Sequence, residues 1–415
     1  MPRVLVVEDT KVFANLLKRR IESDLGFDVT HTASLAETEE VLQRGDETFD
    51  VAILDLTLPD SFEGEIVDLV APRISSLVLT GNIDDGLRDM IWSKGIADYV
   101  LKEGAQNIDY ALGMVRRLYA NAEVTVLVVD DSRVMRTQIQ KLLQVHRYRV
   151  ITANDGAAGL ETLSRTPDVR LVITDYNMPR MDGFEFTREI RKIFAKDQLA
   201  IIGVSAEGNN LMSARFIKMG ANDFLNKPFV SEEFYCRVNH NVEMLDYIRT
   251  IKQMATTDHL TGLRNRKYFF ELGQALFGRL EWGEISMVVA LLDIDHFKRI
   301  NDIYGHMIGD RVLKRVAGVI RTQFPEPSLV ARYGGEEFCI LALDVLPGTV
   351  VERFECLREA VAAELVPAGK ERVSVTVSIG VCTRPGESLE AMLRKADDLL
   401  YKAKDAGRNI VRMDA

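Results

Sequence analysis

Apolar runs alternate with amphipathic stretches over the first 240 residues of the chain. Short runs such as "RVLVV" at 3–7 and "VAILD" at 51–55 are separated by segments of mixed polarity. Nearly continuous apolar strands joined by amphipathic segments are typical of βαβ units in a parallel sheet. This part of the chain is therefore predicted to be α/β, with doubly wound sheets.

The same pattern occurs twice. "RVLVVEDTKV" at 3–12 recurs as "TVLVVDDSRV" at 125–134, and each copy is about 120 residues, far longer than the roughly 20–50 residues of a solenoid repeat. The repeat therefore predicts two tandem domains, over 1–121 and 122–240.

A helical segment follows the second copy. In "NVEMLDYIRTIKQMATTDHL" the apolar residues fall at spacings of four, three and four, namely Met244, Ile248, Ile251 and Ala255. This spacing predicts one apolar seam on a helical linker over 241–256. Two interpretations stay open: the helix packs on its own domain, or it forms a dimer stalk.

The remainder of the chain, 257–415, changes pattern and is predicted to be a third domain of the α+β class. Strands are predicted over 287–293, 338–343 and 373–381, and helices over 309–322, 350–364 and 389–405.

Composition narrows the class of protein. The 415 residues carry a formal net charge of −10, which argues against a nucleic-acid-coating surface. The four cysteines show no CxxC spacing, which indicates reduced thiols. The apolar runs are far shorter than the roughly 20 residues that a membrane span needs. We therefore expect a cytoplasmic protein with no membrane and no nucleic-acid partner.

Acidic residues end two strands of the second copy. Asp130 and Asp131 follow the first strand and Asp175 ends the third, while Ser205 and Lys227 end later strands. Functional residues of a doubly wound sheet gather at the carboxyl ends of its strands. Crowded carboxylates repel each other unless a cation binds, and Mg²⁺ prefers oxygen ligands.

This ordered series over 122–240 resembles a response-regulator receiver domain, with a flavodoxin-like fold. The resemblance implies that Asp175 accepts a phosphoryl group from a cognate histidine kinase, that Asp130 and Asp131 hold one Mg²⁺ with it, and that Ser205 and Lys227 transmit the switch.

The first copy matches the receiver pattern less well. It offers a complete set of chemical types, namely Glu8, Asp9 and Asp55 for a second Mg²⁺ and Thr80 and Lys102 for the switch. It departs in that Glu8 replaces an aspartate, Glu103 replaces a proline, and "LPDSFEG" has one extra residue. A degenerate receiver that serves as a dimerisation or adaptor element stays open. We expect Asp175 to be the more reliable phosphorylation site and Asp55 a second one.

Two glycines and two glutamates sit at a predicted hairpin tip in "LVARYGGEEFCILAL", 329–343. The apolar run upstream reads as a central strand that ends at Asp293. A strand end can lie beside the tip of a neighbouring hairpin, so Asp293 and Glu336 are predicted to form a carboxylate pair for Mg²⁺.

Together with "DHLTGLRNRKYFF" (258–270) and "ADDLLYKAKDAGRNIV" (396–411), this stretch resembles the GGDEF family of diguanylate cyclases. The resemblance covers nearly all of 256–415 and implies a nucleotidyl-cyclase-like fold. It also implies that two GTP molecules condense to cyclic di-GMP with release of two pyrophosphates. Each domain would hold one GTP, so a homodimer is expected.

The resemblance assigns the reacting centre to five residues. Asp293, Glu336 and the backbone carbonyl of Ile294 would ligate two Mg²⁺ ions. Glu337 would take the proton of the attacking 3′-hydroxyl, a role that Glu336 could share. Lys298 would face the developing negative charge.

Five more residues are assigned to substrate binding. Lys404 and Arg408, four apart, would hold the β- and γ-phosphates. Asn301 and Asp310 would read guanine, because a carboxylate accepts from a donor pair that adenine lacks. His306 would touch the nucleotide, and a packed or helix-capping histidine stays open as the alternative.

Further features complete the expectations. Asp258, Asn265 and Arg266 are predicted to form a buried salt bridge and turn. The RxxD product-inhibition motif common in the family is missing, since 325–328 reads Pro-Glu-Pro-Ser. Two alternatives to a cyclase stay open: a degenerate GGDEF effector that binds GTP or cyclic di-GMP, and a scaffold that relays phosphate.

Overall fold

The computed structural model describes residues 1–415 except for 46–47, 63, 83, 103–104, 207–209, 282–284, 346, 370 and 415. The chain divides into two units, Met1–Tyr247 and Ile248–Ala415. Each unit has its own sheets and its own hydrophobic cores.

The first half of the N-terminal unit is a five-stranded parallel sheet with helices on both faces. Its strands are β1 (Arg3–Val7), β2 (Asp28–Thr32), β3 (Val51–Asp55), β4 (Ser75–Thr80) and β5 (Asp98–Leu101). Its helices are α1 (Lys11–Arg20), continued by a π-helical turn at Ile21–Leu25, α2 (Leu35–Arg44), α3 (Glu65–Val70), α4 (Asp85–Ser93) and α5 (Ala105–Asn121). The strand order is β2-β1-β3-β4-β5. Strand β3 is buried throughout because helices cover both faces of the sheet.

The second half repeats this arrangement. Its strands are β6 (Thr125–Val129), β7 (Arg149–Ala153), β8 (Val169–Asp175), β9 (Ala200–Ser205) and β10 (Asp223–Asn226). Its helices are α6 (Arg133–Val145), α7 (Gly156–Arg165), α8 (Gly183–Ile193), α9 (Asn210–Met219) and α10 (Ser231–Thr256). The strand order β10-β9-β8-β6-β7 gives each strand the same neighbours as its counterpart in the first sheet. The predicted parallel α/β architecture is confirmed.

Capping side chains set the helix starts of the second half. Ser132 and Asp155 each accept a hydrogen bond from the backbone N–H three residues later, and so does Asp182. These bonds satisfy donors that have no partner inside a helix. The loops before α6, α7 and α8 are thereby held close to the strand ends that carry the acidic residues.

Aromatic contacts join the two halves of the N-terminal unit. The ring of Trp92 on α4 stacks on Tyr235 of α10 with centroids 5.8 Å apart, and its Nε1 donates to Glu232 at 3.2 Å. The ring of His146 also stacks on Tyr235, with centroids 3.7 Å apart. The Nε2 atom of His146 lies 2.8 Å from the Ala97 carbonyl oxygen. The start of α10 is therefore held by residues from both halves.

The C-terminal unit is built on a mixed six-stranded sheet. Six strands form this sheet and two more form a separate pair; in chain order they are β11 (Arg264–Asn265), β12 (Met287–Ile294), β13 (Leu329–Arg332), β14 (Glu337–Leu343), β15 (Val366–Ala368), β16 (Glu371–Val373), β17 (Val377–Cys382) and β18 (Val411–Met413). Its helices are α11 (Arg266–Glu281), α12 (Phe297–Tyr304), α13 (His306–Gln323), α14 (Val350–Ala363) and α15 (Leu389–Asp405). The order is β11-β13-β14-β12-β17-β18, and β15 pairs with β16. The single strand predicted over 373–381 is instead two strands, β16 and β17.

The central strand β12 is buried on both faces. Residues of α13 and α14 fill the core on one face, and residues of α11 and α15 fill the core on the other. Helix α15 lies directly on β17, because a Cβ added to Gly380 would stand 2.1 Å from the Ala396 carbonyl oxygen. This close approach fixes the height of α15 and its lysines above the sheet.

Helix α10 has 26 residues, and 241–256 form its second half. Its large exposed apolar side chains are Met244, Tyr247, Ile251 and Met254, at spacings of three, four and three. Two of these, Met244 and Ile251, belong to the predicted seam. Within the part of the chain that the structure describes, no helix is both long enough and apolar enough to cross a membrane.

Candidate functional sites

The strand ends of the second sheet bring four predicted residues to one edge. Asp130 follows β6, Asp175 ends β8, Ser205 ends β9, and all three are buried. Lys227 follows β10, and its Nζ lies 2.8 Å from Asp130 Oδ2 and 2.5 Å from Asp175 Oδ1. Asp131, the fifth predicted residue, is exposed.

Burial and neighbouring charges oppose each other in this site. Burial raises the pKa of Asp175 and the charge of Asp130 adds to the rise, while Lys227 opposes it. Burial alone would lower the pKa of Lys227, but its hydrogen bonds to Asp130 and Asp175 raise it above the usual value. The lysine therefore serves as the resident counter-ion of two buried carboxylates.

The first sheet carries the same arrangement at the same edge. Lys102 Nζ lies 2.5 Å from Asp55 Oδ2 and 2.8 Å from Glu8 Oε2. Burial raises the pKa of Asp55, Lys102 opposes the rise, and Glu8 adds to it. Thr80 ends β4, and its hydroxyl donates to the Asn82 carbonyl oxygen at 2.6 Å. The two sites thus share one plan.

The first site also fits a divalent cation. One ligand oxygen from each of Glu8, Asp9 and Asp55 can be chosen so that all lie within 4.8 Å of one another. Among the described residues this is the one group of three acids with such spacing. Carboxylate oxygens are the ligands that Mg²⁺ prefers, so the donor set suits that ion. One departure of this half from the receiver pattern, Glu103, lies outside the described residues, as does residue 63 of the "LPDSFEG" stretch.

In the C-terminal unit the strand register brings two acids together. Asp293 on β12 pairs directly with Glu337 on β14, so both side chains project from the same face of the sheet. Lys404 on α15, which packs on that face, has its Nζ 2.8 Å from Asp293 Oδ2. Asp293 is buried and Glu337 is half-buried.

Burial raises the pKa of both acids, and the charge of Asp293 adds to the rise at Glu337. Burial is the main cause of the raised pKa of Asp293, with Lys404 and then Arg408 among the charges that oppose it. Burial also raises the pKa of Glu337, and the negative charge of Asp293 adds to that rise. A cation between them would relieve this repulsion.

The signature turn is held by backbone contacts. The N–H groups of Tyr333 and Gly334 donate to the Glu337 carbonyl oxygen at 2.8 and 3.3 Å. A Cβ added to Gly334 would stand 2.9 Å from Glu337 Oε2, so a glycine makes room for that carboxylate. The Ile294 N–H donates to the Glu336 carbonyl oxygen at 3.3 Å, which brings the third predicted metal ligand beside the turn.

The register differs from the simplest sequence expectation in one respect. Glu337, and not Glu336, stands directly opposite Asp293. Glu336 lies in the turn itself, and within the described chain its side chain has no hydrogen-bond or ion-pair partner. Its carboxylate is thus available for a ligand.

Helices α12 and α13 carry the predicted base-reading residues. A Cβ added to Gly309 would stand 1.9 Å from Asn301 Oδ1, so the Asn301 amide lies against the backbone next to Asp310. His306 begins α13 and is exposed, as is Lys298 in the first turn of α12. Asn301 therefore lies close to the backbone that carries Asp310. Among the described residues, His306 makes no contact that identifies a role.

Three contacts near the site were not predicted. Asp258 pairs with Arg332 at 3.2 Å, so the expected salt bridge with Arg266 is wrong. Arg332 also donates to the Gly335 carbonyl oxygen at 2.7 Å and so braces the signature turn. Arg266 instead lies over the ring of Tyr333, 4.5 Å from its centroid. For the brace on the turn, the available sequence signal was the position of Arg332 two residues before Gly334, whereas the pairing with Asp258 had no such signal.

Comparisons with known proteins agree with this geometry. The model of the response regulator receiver domain family matches residues 126–239, and the model of the diguanylate cyclase GGDEF domain family matches residues 255–410. Response regulator PleD of Caulobacter vibrioides is 33% identical over 297 residues, which cover 69% of this chain and 65% of PleD. The chain thus spans less than two thirds of the length of PleD.

Diguanylate cyclase VdcA of Vibrio cholerae is 34% identical over 280 residues, which cover 64% of this chain and 79% of VdcA. A solved structure of a two-component response regulator with a GGDEF domain is 39% identical with a TM-score of 0.53, and the match covers 59% of this chain and 100% of that one. The fold and sites define a protein that joins a receiver domain to a GGDEF domain. The chain belongs to the GGDEF family of diguanylate cyclases.

Proposed function

We propose that this chain is a phosphorylation-regulated diguanylate cyclase that condenses two GTP into cyclic di-GMP and two pyrophosphates. The observation that carries the proposal is the paired register of Asp293 and Glu337 beside the two-glycine turn, with Lys404 at 2.8 Å from Asp293. Acidic metal ligands and a cation that can pair with phosphate are groups that suit nucleotidyl transfer to a hydroxyl.

The metal ligands in this proposal are Asp293, Glu336 and the carbonyl oxygen of Ile294. Two Mg²⁺ ions bound there would neutralise phosphate charge and polarise the α-phosphoryl group. Lys404 neutralises Asp293 in the ligand-free chain, and with GTP present it would bind the β- and γ-phosphates together with Arg408.

The remaining roles follow from exposure and environment. Glu337 would accept the proton of the attacking 3′-hydroxyl, because its environment favours the protonated form more than water does. The exposed Lys298 would face the charge that develops on the phosphoryl oxygens. Asn301 and Asp310 would hydrogen-bond guanine, and His306 would lie at the edge of the nucleotide.

Each GGDEF domain holds half of the bond-forming site, so catalysis would need two copies related by twofold symmetry. The exposed stripe of Met244, Tyr247, Ile251 and Met254 on α10 would supply the contact, since it has coiled-coil spacing. We accordingly divide the chain into receiver 1 (1–121), receiver 2 (122–240), a helical linker (241–256) and a GGDEF domain (257–415).

Residues 1–121 are proposed as a receiver because they repeat both the strand order and the acid–lysine cluster of 122–240. Asp175 would be the main phosphoacceptor and Asp55 a second one, each with one Mg²⁺, and a histidine kinase would be the phosphodonor. Phosphorylation would then favour the dimer, which raises the effective concentration of one GGDEF domain near the other.

The first test measures turnover. The full chain is incubated with GTP and Mg²⁺, and cyclic di-GMP and pyrophosphate are quantified. Glu336→Ala should lose activity by at least about a hundredfold, whereas Glu352→Ala, an exposed glutamate in the first turn of α14, should leave it unchanged. Binding of GTP with no product would instead identify a binding-only effector.

The second test concerns regulation. Beryllofluoride, a phosphoryl mimic, should raise both turnover and solution mass. Asp175→Asn should abolish most of this response and Asp55→Asn a smaller part. Equal turnover and equal mass with and without beryllofluoride would remove the proposed link between the receivers and the cyclase.

A further inference from the structure

Asp295 is a buried carboxylate two residues beyond the proposed metal ligand Asp293. Its side chain accepts three hydrogen bonds: from Ser378 Oγ at 2.7 Å, from Thr376 Oγ1 at 2.7 Å and from the Asn409 backbone N–H at 3.0 Å. Such a set gives both side-chain oxygens hydrogen-bond donors away from water. The carboxylate therefore ties the end of β12 to β17 and to the turn after α15.

That turn has an unusual backbone. Three consecutive residues have positive φ: Gly407 at 119°, Arg408 at 65° and Asn409 at 50°. Only glycine adopts this region without a steric penalty, so two of the three residues are held there by their surroundings. The bond from Asn409 to Asp295 is such a restraint, because it fixes the peptide that immediately follows Arg408.

The same carboxylate is also linked to the metal edge of the sheet. Ser378, which donates to Asp295, is the direct partner of Asp293 in the β12–β17 register. The Asp295 N–H donates to the Thr376 carbonyl oxygen at 2.9 Å and closes the connection on the backbone side. One side chain thus joins the strand that carries Asp293 to the turn that carries Arg408.

We propose that Asp295 is a positioning residue that holds the Arg408 turn in register with the metal edge, so that Arg408 meets the terminal phosphates of GTP. The inference rests on the proposed role of Arg408 and adds the residue that places it. Asp295 itself touches no substrate; it acts through the Asn409 N–H.

The test is a double-mutant cycle in the full chain, read as binding of a non-hydrolysable GTP analogue and as half-saturation by GTP. Asp295→Ala should weaken binding about tenfold, the value of one hydrogen bond to a charged group. Asp295→Asn keeps an acceptor for the N–H and should recover most of the loss. In an Arg408→Ala background neither change should weaken binding further, because the group being positioned is gone.

A matched control separates positioning from stability. Asp414 also holds a turn of this unit, accepting from the Thr383 N–H at 2.7 Å and the Thr383 hydroxyl at 2.9 Å. Asp414→Ala should lower the thermal midpoint by an amount similar to Asp295→Ala and leave GTP binding unchanged. GMP, which lacks the terminal phosphates, should bind equally well to the wild type and to both Asp295 variants.

Each outcome bears on a different statement. Losses that add in the double variant, or equal weakening of GMP, would overturn the positioning role of Asp295 while leaving the role of Arg408 intact. An Arg408→Ala variant with unchanged binding would overturn both. The proposed cyclase activity is judged separately, by product formation in the wild type.

Discussion

A lysine is the counter-ion of the acidic residues both in the two N-terminal sites and in the GGDEF site, but its environment differs between them. In the N-terminal unit Lys102 and Lys227 each bridge two buried carboxylates from neighbouring strand ends, and their side chains are 23% and 14% exposed. In the C-terminal unit Lys404 comes from a helix, is 32% exposed and contacts one carboxylate, Asp293. Two further acids of that site, Glu336 and Glu337, form no ion pair with Lys404 among the described contacts.

This difference separates two functions of one residue type. A partly buried lysine that two buried acids share is part of the fold, because its removal leaves two buried carboxylates without a counter-charge. A half-exposed lysine with one partner can exchange that partner for a phosphate at small cost. In the ligand-free chain Lys102 and Lys227 should therefore contribute to stability, whereas Lys404 should contribute little to stability and be free to bind phosphate.

The largest effect is expected from Lys227→Met. It should destabilise the second sheet by about 4 kcal/mol, since it leaves Asp130 and Asp175 buried and unpaired. Hydrogen exchange of the β6 and β8 amides in the full chain would measure this free energy. Lys102→Met should act in the same direction on β1 and β3, and less strongly because Lys102 is more exposed.

Lys404→Met is the matched variant of the C-terminal unit. It should change the stability of β12 by under about 1 kcal/mol and raise the GTP concentration for half-saturation by at least about tenfold. If Lys404→Met destabilised its unit as much as Lys227→Met does, the expected difference between Lys404 and the two N-terminal lysines would be lost.

Sequence patterns were sufficient for the architecture of both units because the strands are strongly apolar. The α/β repeat, the central strand ending at Asp293 and the three later helices of the C-terminal unit were all predictable. The break between Val373 and Val377 was not, since the apolar alternation runs across both strands.

The sequence predicts which residues form the sites better than it predicts which of those residues contact each other. Strand ends bring Asp130, Asp175 and Lys227 together as expected. The register that places Glu337 opposite Asp293 depends on how many residues the turn contains, which the sequence does not state. The pairing of Asp258 with Arg332 joins residues 74 apart, and local spacing carries no signal for it.

Lowering the pH should reduce the stability of the N-terminal unit before that of the C-terminal unit. His146 is buried between its two halves, and burial lowers its pKa from 6.5 to about 4. As the pH falls, the unfolded chain takes up this proton before the folded chain does, so stability is lost between pH 6.5 and 4. The full loss is about 3 kcal/mol, given roughly 1.4 kcal/mol for each pKa unit.

Hydrogen exchange at a series of pH values would show this loss in β6 and β8, and His146→Gln should flatten the slope. In the C-terminal unit the three histidines, His259, His296 and His306, are exposed, so none of them has the burial on which the expected acid sensitivity of His146 depends. An equal acid sensitivity of both units would show that another group controls the behaviour.

A smaller effect, on GTP binding, is expected from a substitution beside the proposed base-reading residues. Gly309→Ala should displace the Asn301 amide, because the added Cβ would stand 1.9 Å from its Oδ1. Half-saturation by GTP should rise by about tenfold, a cost of about 1.4 kcal/mol, and the preference for GTP over ATP should narrow. Gly318→Ala on the same helix meets no atom within 4 Å and is the control. Unchanged preference in Gly309→Ala would remove Asn301 from the base-reading site.

The smallest expected effect is inhibition by product. Where many family members carry an arginine and an aspartate, this chain has Pro325 and Ser328, joined in a tight turn by the Ser328 N–H and the Pro325 carbonyl oxygen at 3.0 Å. Cyclic di-GMP should therefore inhibit only by competing with GTP. Steady-state rates at several GTP concentrations distinguish competitive from non-competitive inhibition.

Restoring the motif sharpens this expectation. Pro325→Arg combined with Ser328→Asp should introduce non-competitive inhibition, because a guanidinium and a carboxylate would then face one product molecule together. Arg264 and Arg321 already line a cavity of about 680 Å³ at this turn. If the unmodified chain were inhibited non-competitively, these two arginines would be the first residues to replace, since they are the cations that remain there without the motif.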